Sequence, residues 1–466
     1  MNNFFALHCH TEESNQRLLD CIIKVEDLVQ GAFDLGLSGV AITDHETVSA
    51  AVRALNYIEK KRQDNEAWKN FKLILGNEIY LCRNDLNSEN YDSKQDRFYH
   101  FILLAKDEEG HKQIRELSSR AYEHSFMRSK MRRVPTYYRD IEEIIGSNPG
   151  HVIGSTACLG SYLGSQLLKA SSHEQYPAVF EKEILEIKKW IKYIQNIFGK
   201  ENFFLELQPS HNEEQIYVNN WLLTYSQELN IPAIITTDAH YLRPEDREIH
   251  KAYLNSKDGD REVDDFYATT YLMTREEIHK YMDEYIGKEK VEECLNNTYL
   301  VGNQISEYNL NKPFKLPYLP SEKDKQLAKQ KFNIPNYPLN EIWYTFMNSE
   351  EDSDRVMIHR LLNKMNSNPE FFYTKERIER ATVELQTVWD ASKKQNLTWS
   401  KYFLQVADYI DIAWTEGDTI VGCGRGSGVG FYLNYLLDVT QVDPIREKVK
   451  TYFWRYLNPE RVSILD

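Results

Sequence analysis

Seven short apolar runs in the first 240 residues are the feature that most constrains the fold of this chain. The runs cover residues 4–8, 39–43, 73–81, 100–105, 151–155, 203–208 and 232–237. Amphipathic patterns of helical period lie between most of them, for example at 24–37 and 213–230. Strands that are separated by helices need crossover connections, which favour a largely parallel sheet. The pattern therefore predicts an α/β fold, either a barrel or an open doubly wound sheet.

Residue types that bind metal ions stand beside most of these runs. His8 ends the first run and His10 stands two positions later, so on an extended strand both side chains point to the same side. The other candidates are Asp20, His45, Glu78, His100, Cys158, Asp238 and His240. Imidazoles, carboxylates and a thiol suit zinc, manganese or iron. Such residues at strand ends favour a barrel with its site at the C-terminal mouth, although His100 precedes its run instead of following it.

The order of these residues resembles that of a known superfamily. HxH, TDH, a strand Glu, a later His, a Cys and DAH follow one another as in the polymerase and histidinol phosphatase (PHP) superfamily. The resemblance implies a distorted seven-stranded barrel that binds up to three metal ions. It implies these ligand sets: His8, His10, Glu78 and Asp238; Glu78, His100 and Cys158; Asp20, His45 and His240. Metal ions there would lower the pKa of a bound water and receive a phosphate, so phosphoester hydrolysis is the expected chemistry.

A glycine-rich loop, VGCGRGSGVG at 421–430, is the second strong signal. It lies between an apolar run and an amphipathic pattern, where backbone N–H groups at a helix N-terminus can hold phosphate oxygens. Arg425 adds a charge-assisted donor, and Ser427 could cap the helix and bind a phosphate. The loop has no GK[ST] and is no clean GxGxxG, so on its own a structural turn before a helix is equally compatible.

The surrounding sequence resembles the palm of the bacterial DNA polymerase III alpha subunit, a family that begins with a PHP domain. The matching stretches are residues 401–430, DPIREK at 443–448 and FWRYLNPERVS at 453–463. The resemblance implies contacts to the triphosphate of an incoming nucleotide from Gly424, Arg425, Gly426, Ser427 and Lys401. Asp466 matches the first of two catalytic aspartates that bind magnesium. Because the second is absent, we expect that the chain does not polymerise alone.

These features predict two domains and a replication function. Residues 1–290 would form the PHP phosphoesterase domain, and residues 291–466 a linker and the first part of an α+β, nucleotidyltransferase-like palm. The expected protein is the N-terminal portion of a DNA-directed DNA polymerase with a metal-dependent exonuclease site. Two to three zinc, manganese or iron ions would occupy the barrel, and magnesium the polymerase site. The alternatives are a stand-alone PHP phosphoesterase or nuclease, and a non-catalytic, metal-stabilised replisome scaffold.

Composition limits the surroundings and the partners. No apolar run approaches 18 residues, so no membrane span is expected, and six scattered cysteines without a CxxC pair fit a reducing cytoplasm. The net charge of −15 argues against a basic nucleic-acid coat, although a local basic groove remains compatible with it. The resemblance implies these partners: DNA, deoxynucleoside triphosphates, the C-terminal remainder of the polymerase, the sliding clamp and the proofreading subunit.

Overall fold

A computed structural model describes residues 3–128, 131–256, 265–449 and 451–461 of the chain. It divides into two compact units, Met1–Asn311 and Lys312–Asp466. The strands of the first unit are β1 Phe5–Ala6, β2 Gly39–Ile42, β3 Lys72–Cys82, β4 Tyr99–Ala105, β5 Phe126–Arg128, β6 Met131–Arg133, β7 Thr136–Tyr137, β8 Val152–Ser155, β9 Phe203–Leu207 and β10 Ala233–Ile235.

Helices connect these strands and are the main regular structure of the second unit. The helices of the first unit are α1 Val25–Asp34, α2 Ala50–Asp64, α3 Glu108–Glu123, α4 Tyr138–Ile141, α5 Tyr162–Ser171, α6 Pro177–Phe198, α7 Glu213–Leu229, α8 Arg247–Leu254, α9 Arg275–Ile286 and α10 Lys288–Gly302. The helices of the second unit are α11 Glu322–Leu327, α12 Glu341–Met347, α13 Asp352–Asn366, α14 Pro369–Phe372, α15 Lys375–Gln395, α16 Ser400–Thr415 and α17 Tyr432–Leu436.

The main sheet has eight strands. Seven lie in the order β1-β2-β3-β4-β8-β9-β10, which confirms all seven predicted strands, and the short β7 pairs with β3 beside this path. Neighbouring strands are parallel, except that β4 is antiparallel to both β3 and β8. The sheet curls until its two edges meet just beyond β1 and β10. There Cys9 forms a parallel bridge with Ala239, and His10 N donates to Ala239 O at 2.9 Å. The result is the expected distorted seven-stranded barrel, with one reversed strand that the sequence analysis did not foresee.

The barrel interior has an apolar layer and a polar layer, because side chains on one face of a strand recur every second residue. The apolar layer includes Ile74, Ile102, Ile153, Phe204 and Ile234, which pack into one buried cluster. Two residues further along β8, β9 and β10, on the same face, stand Ser155, Glu206 and Thr236. The strands thus change from hydrophobic to hydrogen-bonding side chains towards one end of the barrel, where the candidate ligands gather.

Helix α10 belongs to the first unit and seals the apolar end of the barrel. Val301 and Ile305, at and just after the end of α10, join the buried cluster of the barrel interior. Phe5 N donates to Thr298 Oγ1 at 3.1 Å, which ties α10 to β1. The compact units therefore divide at Asn311, whereas the predicted domain boundary is at residue 290.

The second unit is helical around a separate core that includes Trp343, Phe346 and Phe403. Helices α13, α15 and α16 are the longest of this unit. No strand of the expected α+β palm occurs in the described part of this unit. The apolar residues of α16 recur with helical spacing, and Ile420 in the following extended run is 89 % exposed without a strand partner. Among the described residues, no helix is long and apolar enough to cross a membrane.

Candidate metal centre and glycine-rich loop

The polar end of the barrel brings the predicted ligands together. Three overlapping groups have ligand atoms within 4.8 Å of one another: His8, His10, Glu78 and Asp238; Glu78, His100 and Cys158; His10, His45 and His240. Their side chains are buried, except that His100 is half-buried. Glu78 and His10 each belong to two groups, so the three groups form one continuous cluster.

The first group has the geometry of a coordination shell. The Nε2 atoms of His8 and His10 face each other at 3.1 Å. Glu78 Oε2 lies 3.1 and 3.0 Å from them, and Asp238 Oδ1 lies 3.1 Å from both. Four ligands about 2.0 Å from a tetrahedral zinc ion would stand roughly 3.3 Å apart. The observed separations are close to this value, so the four donor atoms surround a space that fits a small cation.

The second group depends on the reversed strand. Because β4 runs antiparallel to its neighbours, its N-terminal end lies at the mouth of the barrel, and His100 stands there opposite Tyr80. The ring of His100 contacts the Glu78 carboxylate, and its Nδ1 lies 3.4 Å from Cys158 Sγ. The position of His100 before its apolar run, which was unexpected for a parallel barrel, thus follows from the direction of the strand.

Asp20 reaches the third group through a tight local turn. A short 3-10 helix, Glu12–Gln16, follows His10, and Asn15 Oδ1 accepts from Asp20 N at 3.0 Å, which turns the chain back towards the site. Asp20 Oδ2 then lies 2.8 Å from His45 Nε2 and 3.5 Å from His240 Nε2. The structure therefore places Asp20 beside the two histidines with which it was predicted to act.

Burial and close pairing set the charges of the cluster. Burial raises the pKa of Glu78, but His100 and His45 outweigh burial and hold this pKa well below its usual range. His8 and His240 do the same for the Asp238 pKa. Burial raises the pKa of the Cys158 thiol well above its usual value. Without a bound cation, the cluster therefore holds ionised carboxylates beside a neutral thiol.

Several buried polar atoms of the cluster make no hydrogen bond of ordinary geometry, namely Asp20 Oδ1, His45 Nδ1, Glu78 Oε1 and Asp238 Oδ1. Two of them, Glu78 Oε1 and Asp238 Oδ1, are nevertheless in ion-pair contact with imidazole nitrogens of the cluster. A buried acceptor without a partner costs about 1–3 kcal/mol, and more when it is charged. A divalent cation would satisfy these atoms, so the donor set fits the metal ions that the sequence predicts, and the clusters suggest divalent metals.

Two groups that hold the histidine rings were missed by the sequence analysis. His8 Nδ1 lies 2.6 Å from Glu206 Oε1. His10 Nδ1 lies 3.0 Å from Ser14 Oγ, which donates to Asp44 Oδ1 at 2.8 Å. The only signal for Glu206 was a charged residue inside the apolar run FFLELQ.

A pocket of about 660 Å³ opens onto the cluster. Its polar lining consists of Asp20, His45, His100, Cys158, Asn212, Glu214, Asp238 and His240. Leu18, Leu159, Leu168 and Tyr267 supply apolar lining. The volume is typical of small-molecule sites, which span about 300–1,000 Å³. A substrate of that size could therefore reach the candidate ligands from one side.

The glycine-rich loop of the second unit is open to solvent from Gly422 to Ser427. Gly424 has a φ of 134° and Gly426 a φ of 68°, which side chains other than glycine rarely adopt. A Cβ on Gly424 would also lie 2.4 Å from Thr440 Oγ1. The backbone conformation therefore requires glycine at positions 424 and 426. Arg425 is exposed beside them.

The loop does not lead directly into a long helix. A short 3-10 helix, Gly426–Gly430, forms the second half of the loop, and α17 begins only at Tyr432, so no long helix starts at the phosphate-binding candidates. Lys401 lies on α16 and pairs with Glu351 at 3.0 Å. Asp466 lies outside the described residues.

Comparison with known protein families matches two segments of the chain. The PHP domain family matches residues 6–210, and the bacterial DNA polymerase III alpha NTPase domain family matches residues 355–466. The chain contains a PHP domain and a DNA polymerase III alpha segment. The PHP match covers the barrel strands from Ala6 to β9 and most of the candidate ligands.

Two relatives align with almost the whole length of this chain. It is 39% identical to the probable DNA polymerase YorL of Bacillus subtilis over 98% of this chain and 36% of that protein. It is 29% identical to the DNA polymerase III subunit alpha of Aquifex aeolicus over 100% of this chain and 36% of that protein. The chain thus spans about a third of the length of these relatives. A solved structure of a metal-dependent phosphoesterase from Bifidobacterium adolescentis matches 51% of this chain and 87% of the phosphoesterase chain, at 15% sequence identity. The TM-score of this match is 0.29, so no argument is based on it.

Proposed function

We propose that the PHP barrel is a metal-dependent phosphoesterase that hydrolyses phosphodiester bonds at DNA ends. The observation that carries this proposal is the set of four buried donor atoms, from His8, His10, Glu78 and Asp238, with adjacent separations of 3.0–3.1 Å. Imidazole and carboxylate donors at this spacing suit zinc, manganese or iron better than magnesium, which prefers oxygen ligands.

We further propose two to three divalent ions in this centre. The ligands would be His8, His10, Glu78 and Asp238 for one ion, Glu78, His100 and Cys158 for another, and Asp20, His45 and His240 for a third. When bound, such ions supply an activated water and a positive charge for phosphate oxygens. The residues of the chain hold the donor atoms in place, and the pocket beside them admits the substrate from one side. Glu78 contacts histidines of more than one set and would link neighbouring ions.

For the whole protein we propose DNA-directed DNA polymerase activity in replication. This rests on alignment with polymerases along almost the entire chain, although the chain spans 36% of their length. Gly424, Arg425, Gly426 and Ser427 would contact the nucleotide triphosphate, with Lys401 as a further contact and Asp466 as a catalytic magnesium ligand. The proposed surroundings are the cytoplasm, and the proposed partners are DNA, nucleotides and other replisome proteins.

Hydrolysis of end-labelled DNA by the purified chain tests the phosphoesterase proposal. We expect manganese- or zinc-dependent release of label, and loss of this release in a His8→Ala, Asp238→Ala double variant. A matched control is the His211→Ala, Asp246→Ala double variant, which changes the same residue types outside the cluster. Equal hydrolysis by the site variant would refute the proposal. Metal binding without hydrolysis in any variant would favour the scaffold alternative.

A further inference from the structure

Glu206 is a buried carboxylate inside the barrel that none of the candidate ligand sets includes. It lies on β9, and 1 % of its surface is exposed. Two strand neighbours hold it: Ser155 Oγ donates to Oε2 at 2.5 Å, and Thr236 Oγ1 donates to Oε1 at 2.6 Å. Gln208 Nε2 adds a longer contact at 3.4 Å. Both carboxylate oxygens are therefore fixed by neighbouring strands and are not free to turn towards the cluster.

The remaining partner of Glu206 is a candidate ligand. Glu206 Oε1 lies 2.6 Å from His8 Nδ1, on the side of the imidazole that faces away from the cluster. The opposite atom, His8 Nε2, lies 3.1 Å from His10 Nε2, Glu78 Oε2 and Asp238 Oδ1. Because a carboxylate accepts but does not donate, the short contact requires the proton on Nδ1. Nε2 is then the ring nitrogen that faces the other three donor atoms, and a cation that displaces any proton there meets its lone pair.

We infer that Glu206 is a positioning residue that fixes the ring and the tautomer of His8 for metal binding. The inference rests on the metal centre proposed above and names a residue that acts on it without touching the ion. A carboxylate that accepts from a ligating imidazole orients the ring and makes the ligand more basic, and losing such a partner typically weakens metal affinity ten- to hundredfold. Ser155 and Thr236 in turn hold Glu206 in the position that this role requires.

Zinc titration of the full chain tests the inference, with a competing chelator as the reference for affinity. Glu206→Gln keeps the size of the side chain and an acceptor oxygen but removes its charge. We expect the tightest zinc site to weaken about tenfold or more in this variant. Glu206→Ala also removes the acceptor, so we expect a larger loss. Folding of each variant is checked by circular dichroism before titration.

A matched control separates this role from a general effect of changing a buried acid. Asp354 is also a buried carboxylate that accepts from two hydroxyl groups, those of Ser349 and Ser400, but it lies in the second unit. Asp354→Asn should leave zinc affinity unchanged. Thr236→Val gives a milder test that keeps Glu206 itself, and we expect a smaller loss of affinity because one of its supports is gone.

Nuclear magnetic resonance of labelled histidine reports the protonation and metal binding of His8 directly, independently of affinity. In zinc-loaded protein labelled with ¹⁵N-histidine, the His8 signals should show a protonated Nδ1 and a metal-bound Nε2. Zinc affinity in Glu206→Gln and Thr236→Val equal to that of the parent chain would overturn the inference while leaving the metal centre intact. A parent chain that binds no zinc would overturn the proposed metal centre and, with it, this role.

Discussion

Substitution of Gly160 by alanine should weaken one metal set and leave the others intact. A Cβ at this position would lie 3.0 Å from Nδ1 of His100 and 3.1 Å from Cγ and Cε1 of the same ring. Carbon atoms in ordinary contact lie about 3.5–4.0 Å apart, so the ring must move by roughly 0.5 Å. Ligand distances in metal sites hold to within about 0.2 Å. The displacement therefore exceeds what the Glu78, His100 and Cys158 set can absorb.

We expect the metal affinity of the Glu78, His100 and Cys158 set to fall about ten- to hundredfold in Gly160→Ala. This is the range seen when the orientation of a ligand is disturbed, and it corresponds to about 1.4–2.7 kcal/mol of binding free energy. Cobalt titration measures the loss specifically, because a cobalt–thiolate absorption band would report an ion bound by the proposed ligand Cys158. The control is Gly146→Ala, whose Cβ would lie 3.6 Å from Ile197 Cγ2 in ordinary contact. A Gly160→Ala variant with the cobalt–thiolate band and affinity of the parent chain would refute this reasoning.

Three further outcomes are expected. Removal of metal by a chelator should lower the melting temperature, since a ligand present at a thousand times its Kd stabilises the native state by about 4 kcal/mol, and no shift would count against a bound ion. Burial lowers the pKa of His111 to about 4, from about 6.5 in the unfolded chain, so the native state binds fewer protons and loses stability as the pH falls through this window. In urea denaturation, His111→Leu should remove about 2 kcal/mol of the loss between pH 7 and pH 5, whereas a variant of the exposed His211 should not. Gly302→Ala would place a Cβ 2.3 Å from the Phe5 ring and should destabilise the first unit by about 1–3 kcal/mol in thermal denaturation, and unchanged stability would contradict this packing.

The sequence was sufficient to predict the seven strands and that most of the candidate ligands lie together, because both depend on local patterns. Apolar runs of strand length flanked by helical periods determine where strands form. Ligand residues that follow parallel strands meet at one end of the sheet, so His45 and Asp238 could be grouped before the structure was known, and Glu78 was a charged residue within an apolar run. These predictions needed the period of each element and its position in the chain, but no detailed geometry.

Strand direction could not be obtained in the same way. The run HFILLA fits a parallel or an antiparallel strand equally well, and its direction depends on its pairing with β3 and β8. The antiparallel direction decides which end of the run carries the ligand, and so it explains His100. The sequence also does not indicate where the barrel unit ends. Helix α10 has an ordinary amphipathic pattern, and only its contact with β1 assigns it to the barrel unit.

The two histidines of the LHCH segment show why a short motif is ambiguous without its orienting partners. Both Nε2 atoms can face one cation only if both Nδ1 atoms are held from behind, and each is held by a different part of the chain. Glu206, on β9, holds His8, whereas Ser14 and Asp44 hold His10 from the first loop and the end of β2. The spacing of the two histidines determines that their side chains share one side of the strand. Whether they form a metal site depends on acceptors outside the motif, which are Glu206 from β9 behind His8 and the Ser14–Asp44 pair behind His10.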